Sequence, residues 1–144
     1  MGRDYLDSSE FLFQAEVFKP GFELLFVHAI EILLKAFILL KDLRNEAQLL
    51  REFKNSNTYG HDYSKLLNHA LDLDTDRMLS ERLCEFIRFH SQYFYHDSIE
   101  VRYIDGYVER SFDKDSFSIV RTDLIQPLQN AFMVQRSQLR DDPL

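Results

Sequence analysis

Turn-forming residues and cysteine are scarce in this chain, which has four glycines, three prolines and a single cysteine among 144 residues. The lone Cys84 excludes an internal disulfide framework and suits a reducing cytoplasm. So few Gly and Pro cannot punctuate the many short strands of a sandwich or barrel. A Gly-rich phosphate loop, a Ser-centred nucleophile elbow, a Cys-x-x-Cys pair and a His-Glu-x-x-His zinc motif are all missing. The opening "MGRDYLDSSE" has no apolar stretch of the signal-peptide kind, and Leu6 stands where N-myristoylation needs Ser or Thr. A cytoplasmic location is therefore the expectation. The longest apolar run, Phe22 to Leu40, is broken by Glu23, His28, Glu31 and Lys35. Each charge at mid-membrane costs about 2.5–3.5 kcal/mol, so the run reads as a core helix and no membrane is expected. Positive charge is also short: 17 Lys and Arg face 24 Asp and Glu, a net charge of −7. That balance disfavours generic affinity for nucleic acid or anionic lipid.

What the chain does have is apolar and aromatic material. Hydrophobic residues make up 45% of it, with 13 Phe and 7 Tyr, enough for one independent core. A chain of this length fits one domain and buries about 68–70% of its unfolded surface. The patterning predicts an all-α fold, an antiparallel up-and-down bundle of four to five helices spanning residues 1–144, with a core over about 8–140. A first helix is expected from an N-cap at Ser8 or Ser9 to a break at Lys19-Pro20-Gly21. A second, apolar around most of its circumference, runs from Phe22 to Asp42 and takes the central place. Residues 43–54 form a helix with Leu43, Ala47, Leu50 and Phe53 on one side. A third element from Asp62 to Leu73 buries Leu66, Leu67, Ala70 and Leu71. A fourth, Arg77 to Tyr95, carries Leu79, Leu83, Phe86, Ile87, His90 and Phe94 at helical spacing. Asp105-Gly106 gives a hairpin or ordered loop around 99–112. Thr122 or Asp123 is expected to cap a last helix reaching Leu139.

Few constellations carry chemistry. His28, Glu31 and Lys35 fall within an arc of about 60° on the central helix, hence on one face. Glu31 to Lys35 is the favourable order for an ion pair, worth about 0.2–0.5 kcal/mol if exposed. If it is buried, stranding one partner costs about 3–5 kcal/mol. This strip is read as a solvated face or structural ion pair, with a polar cleft or dimer seam as the functional alternative. His28, His61 and Asp62 suit a metal-dependent phosphohydrolase in residue type. However, His61-Asp62 follows the polar loop "NSNTYG", where Asp62 is placed to cap a helix. His90 lies in an apolar stripe, as a core histidine does, and His69 joins no constellation. Arg82, Arg88 and Arg102 are interleaved with aromatics that could stack bases. In an acidic chain those rings are better explained by a bundle core or a dimer interface.

Three segments together resemble the HEPN family of helical, nucleotide-binding-like domains. "HAIEILLKAFILL" is similar to its Ala-x-Glu-x-x-Leu-Lys-Ala core helix, through Ala29, Glu31, Leu34, Lys35 and Ala36. "YGHDYSKLL" is similar to its Gly-His-Asp/Asn-Leu helix start, and "VRYID" stands at the place of its Arg-Tyr-Pro stretch, with Ile104 replacing the proline. The resemblance implies a four- or five-helix bundle, commonly a homodimer. Many members are ribonucleases whose site is an Arg followed by a His with four to six residues between. Here Arg82 and His90, and likewise Arg88 and His96, have seven residues between. One extra residue rotates the His by about 100° on a helix, so the usual ribonuclease site is not expected.

The resemblance therefore implies a non-catalytic, homodimeric binding module. Its partner would be a nucleotide or a nucleotidyltransferase-like protein, with Glu31, Lys35, His61, Arg102 and Tyr103 lining one side. No metal or other cofactor is expected. The alternatives are a divergent ribonuclease using Arg82 or Arg88 with His90 or His96, and a metal-dependent phosphohydrolase through His28, His61 and Asp62.

Overall fold

The computed structural model describes residues 2–14, 19–42, 46–54, 63–90 and 114–141. Among these, every regular element is helical and the fold is an all-α bundle. The expected hairpin around 99–112 and the Asp62 cap lie outside the described residues.

Helix α2 (Lys19–Lys41) organises the bundle. Phe26, Val27, Ala29, Ile30, Leu33, Leu34, Phe37 and Ile38 are buried on several sides of it, as its all-round apolar sequence requires. Pro20 sits in its first turn. There its missing N–H is harmless and its fixed φ suits the helix, so Lys19-Pro20-Gly21 opens a helix and does not break one.

Helix α1 (Gly2–Gln14) makes the most extensive packing contact with α2. It begins well before the expected cap at Ser8 or Ser9. Leu6 and Ser9, three apart on one face, are fully buried, and Asp4 lies in the first turn, where a carboxylate favours the helix dipole. Gly2 meets α2 so closely that an added Cβ would come within 2.9 Å of Leu33 Cγ. A serine cap was the local signal; this tertiary contact overrides it.

Helix α3 (Glu46–Lys54) buries Leu49 and Phe53, four residues apart, and leaves Leu50 and Ala47 exposed. The expected stripe through Ala47 and Leu50 is thus rotated. Helix α4 (Tyr63–Leu73) buries Leu66, Leu67 and Ala70 as expected, and Tyr63 as well, whereas Leu71 is only partly buried.

The fourth long helix does not start at Arg77. That residue has φ 53°, a left-handed conformation that ends regular helix. Asp74 instead ties the turn, accepting the Met78 N–H with Oδ1 and the Leu79 N–H with Oδ2, both at 2.8 Å. Ser80 is the true cap: its Oγ accepts the Leu83 N–H at 3.1 Å, and α5 follows over residues 81–90. Leu83, Cys84 and Ile87 are its buried face.

The last helix also departs from expectation. Helix α6 (Lys114–Val120) runs through a π-turn (Arg121–Ile125) directly into α7 (Gln126–Asp141). Thr122 and Asp123 therefore lie inside a helix and cap nothing. Pro127 explains the irregularity, because its nitrogen cannot donate to the preceding turn. The ladder slips instead, with Gln126 N–H bonding the Arg121 carbonyl five residues back. The helix survives the proline by widening one turn.

Candidate functional site

The polar strip on α2 does lie on one face, and that face is turned inward. Glu31 is only 4% exposed. Its Oε1 accepts a 2.7 Å bond from Lys35 Nζ, and its Oε2 lies 3.5 Å from His28 Nδ1. Tyr63, buried at the start of α4, directs its hydroxyl at the Val27 carbonyl (3.2 Å) and at Glu31 Oε2 (3.4 Å). A carboxylate held in this way joins α2 to α4 through a charge-assisted bond and a hydroxyl. Lys35 keeps part of its chain in solvent and lies 5.7 Å from the centre of the Phe53 ring, a cation–π separation. The Tyr5 ring stands 6.4 Å from His28.

A second polar centre surrounds the π-turn. Asp123 accepts a two-bond fork from Arg82, Nε to Oδ2 at 2.9 Å and Nη2 to Oδ1 at 2.8 Å. The Ser80 hydroxyl donates to Oδ2 as well, at 2.6 Å. The Arg82 hydrogen bond, helped by that of Ser80 and by the guanidinium charge, holds the Asp123 carboxyl below its ordinary range against the opposing effect of burial. The same bond raises Arg82. Two residues earlier Arg121 reaches α1, with Nη2 2.7 Å from Asp7 Oδ1 and Nε 3.3 Å from Glu10 Oε2. Burial works against its charge, but the two carboxylates raise it above its ordinary value. The wide turn thus points one cation at α1 and one carboxylate at the start of α5. A hollow of about 380 Å³, lined by Glu10, Phe13, Phe117, Ser118, Arg121 and others, lies on its α1 side.

Two further pairs close the C-terminal end of α2. His69 Nε2 stands 3.2 Å from Asp42 Oδ2, and Lys41 Nζ 3.1 Å from Asp76 Oδ2. His69 therefore belongs to a constellation that only the tertiary fold creates.

Of the residues singled out in the sequence, Glu31 and Lys35 meet, with His28 beside them. His61, Arg102, Tyr103 and His96 lie outside the described residues. Arg82 is bound to Asp123. Arg88 is exposed on α5, and His90 lies between Phe86 and Phe89, with ring centroids 4.7 and 4.9 Å away. Burial pushes the Cys84 thiol up, the opposite of what a nucleophile needs. Among the described residues no group of three His, Cys, Asp or Glu is placed to hold a metal ion. Among them, too, no helix is long and apolar enough to cross a membrane.

Nothing in the sequence pattern marks Tyr63, Arg121 and Asp123 as polar partners. Tyr63 looks like one more core aromatic until α4 is laid against α2. Asp123 looks like a cap because Pro127 follows it. Comparison with known protein families, with curated proteins and with solved structures yields no match.

Proposed function

We propose that the chain is a non-enzymatic binding module of the HEPN type, working as a homodimer and recognising a nucleotide or a nucleotidyltransferase-like partner. What supports this reading most is the use made of Glu31. An acid with a half-buried lysine and histidine beside it has the ingredients of a proton-transfer site. Here its oxygens are taken up by Lys35 and Tyr63, an arrangement that joins two helices. Lys35 and His28 each keep about a quarter of their side chain accessible. They are left as the cation and hydrogen-bonding group that a phosphate or sugar would meet at the rim.

The divergent ribonuclease has less support, because the Arg82 guanidinium is engaged by Asp123. The metal-dependent hydrolase rests on His28 together with His61 and Asp62, of which His28 faces Glu31.

Thermal unfolding of the full chain with a panel of nucleotides tests the reading. A ligand present at 100 times its dissociation constant stabilises the fold by about 2.7 kcal/mol, which an unfolding curve resolves easily. The expected result is a raised midpoint with at least one nucleotide, weakened in Lys35→Ala. An unchanged midpoint across millimolar nucleotides removes the nucleotide and leaves protein contact as the function. Stoichiometric transition metal in the purified protein, lost in His61→Ala, would replace the reading with the hydrolase.

A further inference from the structure

Residues 126–135, "QPLQNAFMVQ", contain no charged side chain, in a chain whose residues are 28% charged. They form the first half of α7, and Phe132, Met133 and Val134 there are 59%, 66% and 58% exposed. Hollows flank them on both sides. One, about 400 Å³, is lined by Ile32, Leu33 and Ala36 of α2, by Leu128 and Phe132 of α7, and by Arg3 of α1. The other, about 460 Å³, is lined by Met78, Ala131 and Val134 and by the paired Lys41 and Asp76, and Leu40 borders both.

We propose that this face of α2 and α7 is the surface on which a second copy of the chain docks. The inference deepens the homodimer reading given above and rests on it. Charge selects the occupant. Each copy carries a net charge of −7, so contact through most of the surface would press like charges together in a dehydrated space. The first ten residues of α7 carry no charge, and the charged groups in the hollows beside them are Arg3 and the paired Lys41 and Asp76, so two such molecules can meet there with little like charge between them. Gln129, Asn130 and Gln135 supply hydrogen bonding at its edge without charge, and Phe and Met suit the centre of an interface.

Shape points the same way. A two-fold contact requires one patch to be complementary to itself, residue for residue. This patch carries the exposed Met133 side chain beside two largely apolar hollows whose walls Phe132 and Val134 share. Three consecutive helical residues also sweep about 200° of the circumference, more than one flat neighbour covers. A partner α7 seated in the hollows, with this α7 seated in the partner's, covers both flanks.

Sedimentation equilibrium on the full chain tests this, comparing wild type with Phe132→Glu, Val134→Glu and Phe11→Glu. Phe11 is an equally exposed aromatic on α1 that lines neither hollow. Far-ultraviolet circular dichroism establishes that each variant is folded, and Val134→Glu carries the test if Phe132→Glu is not. The expected result is a wild-type dimer, association weakened at least tenfold by each α7 substitution, and no change with Phe11→Glu. A folded α7 variant that dimerises like wild type overturns the assignment of the face while leaving the homodimer standing. A wild type that stays monomeric overturns both. Open-ended association that grows with concentration overturns the two-fold arrangement.

Discussion

Substituting Lys35 by methionine separates a closed structural ion pair from an open polar site. The cost follows from who can reach water. Glu31 is 4% exposed and has no route to solvent in place of the 2.7 Å lysine bond. Lys35 is partly exposed and can swing outward if Glu31 is removed. Breaking a fully buried pair costs about 3–5 kcal/mol, and an exposed i,i+4 pair is worth only about 0.2–0.5 kcal/mol. Tyr63 and His28 stay beside the carboxylate and Lys35 keeps about a quarter of its side chain in water, so Lys35→Met should cost about 2 kcal/mol. Glu31→Leu should cost less, about 1 kcal/mol, because the stranded lysine rehydrates and the Tyr63 hydroxyl keeps the Val27 carbonyl. In the double variant the coupling then amounts to about 1–2 kcal/mol. Urea unfolding followed by circular dichroism measures all four proteins, with a constant slope as the check that only stability has changed. If Lys35→Met costs under about 0.5 kcal/mol, the carboxylate is solvated and the closed-pair reasoning fails.

The remaining predictions concern the capping turn, the π-turn and the cysteine. Ser80→Ala removes the Leu83 N–H acceptor and a hydrogen bond to Asp123, and should cost about 1–2 kcal/mol in the same unfolding assay. The Asp123 carboxyl is held low in the folded chain, chiefly by Arg82. Its stabilising effect is therefore present above the ordinary carboxylate range and is lost as pH falls through the depressed folded value. Asp123→Asn should flatten the acid limb of the stability profile between about pH 5 and pH 2; profiles that stay parallel would show that the fork contributes nothing. Cys84 is buried with a raised thiol, so a thiol reagent should label it at the rate of unfolding. Rapid labelling of native protein would contradict its placement.

The parts of the fold legible in the sequence are those that one helix decides for itself. The apolar circumference of α2 announced a central helix, and the Leu66, Leu67, Ala70 spacing announced the buried face of α4. Where a neighbour decides, local signals pointed elsewhere. Ser8 and Ser9 have the chemistry of caps, yet Ser9 is buried because Gly2 lets α1 start about two turns earlier against Leu33. Thr122, Asp123 and Pro127 together look like a helix start. They are read differently once the helix begins at Lys114 and carries the proline through a π-turn. On α3 the choice between Leu49 and Leu50 is a single-residue rotation that only packing settles. The candidate site divides in the same way. Glu31, Lys35 and His28 share a face by helical geometry alone, whereas Tyr63 joins them from 32 residues away. The Asp123 partners of Arg82 and Ser80 are more distant still, at 41 and 43 residues.

Under the proposed function the ionisable groups of this bundle hold helices together and serve recognition, and none of them cleaves RNA. Incubating the full chain with labelled structured and unstructured RNA, with EDTA present, tests it most directly. RNA should stay intact at every protein concentration. Cleavage that survives EDTA and disappears in His90→Ala or His96→Ala would contradict it.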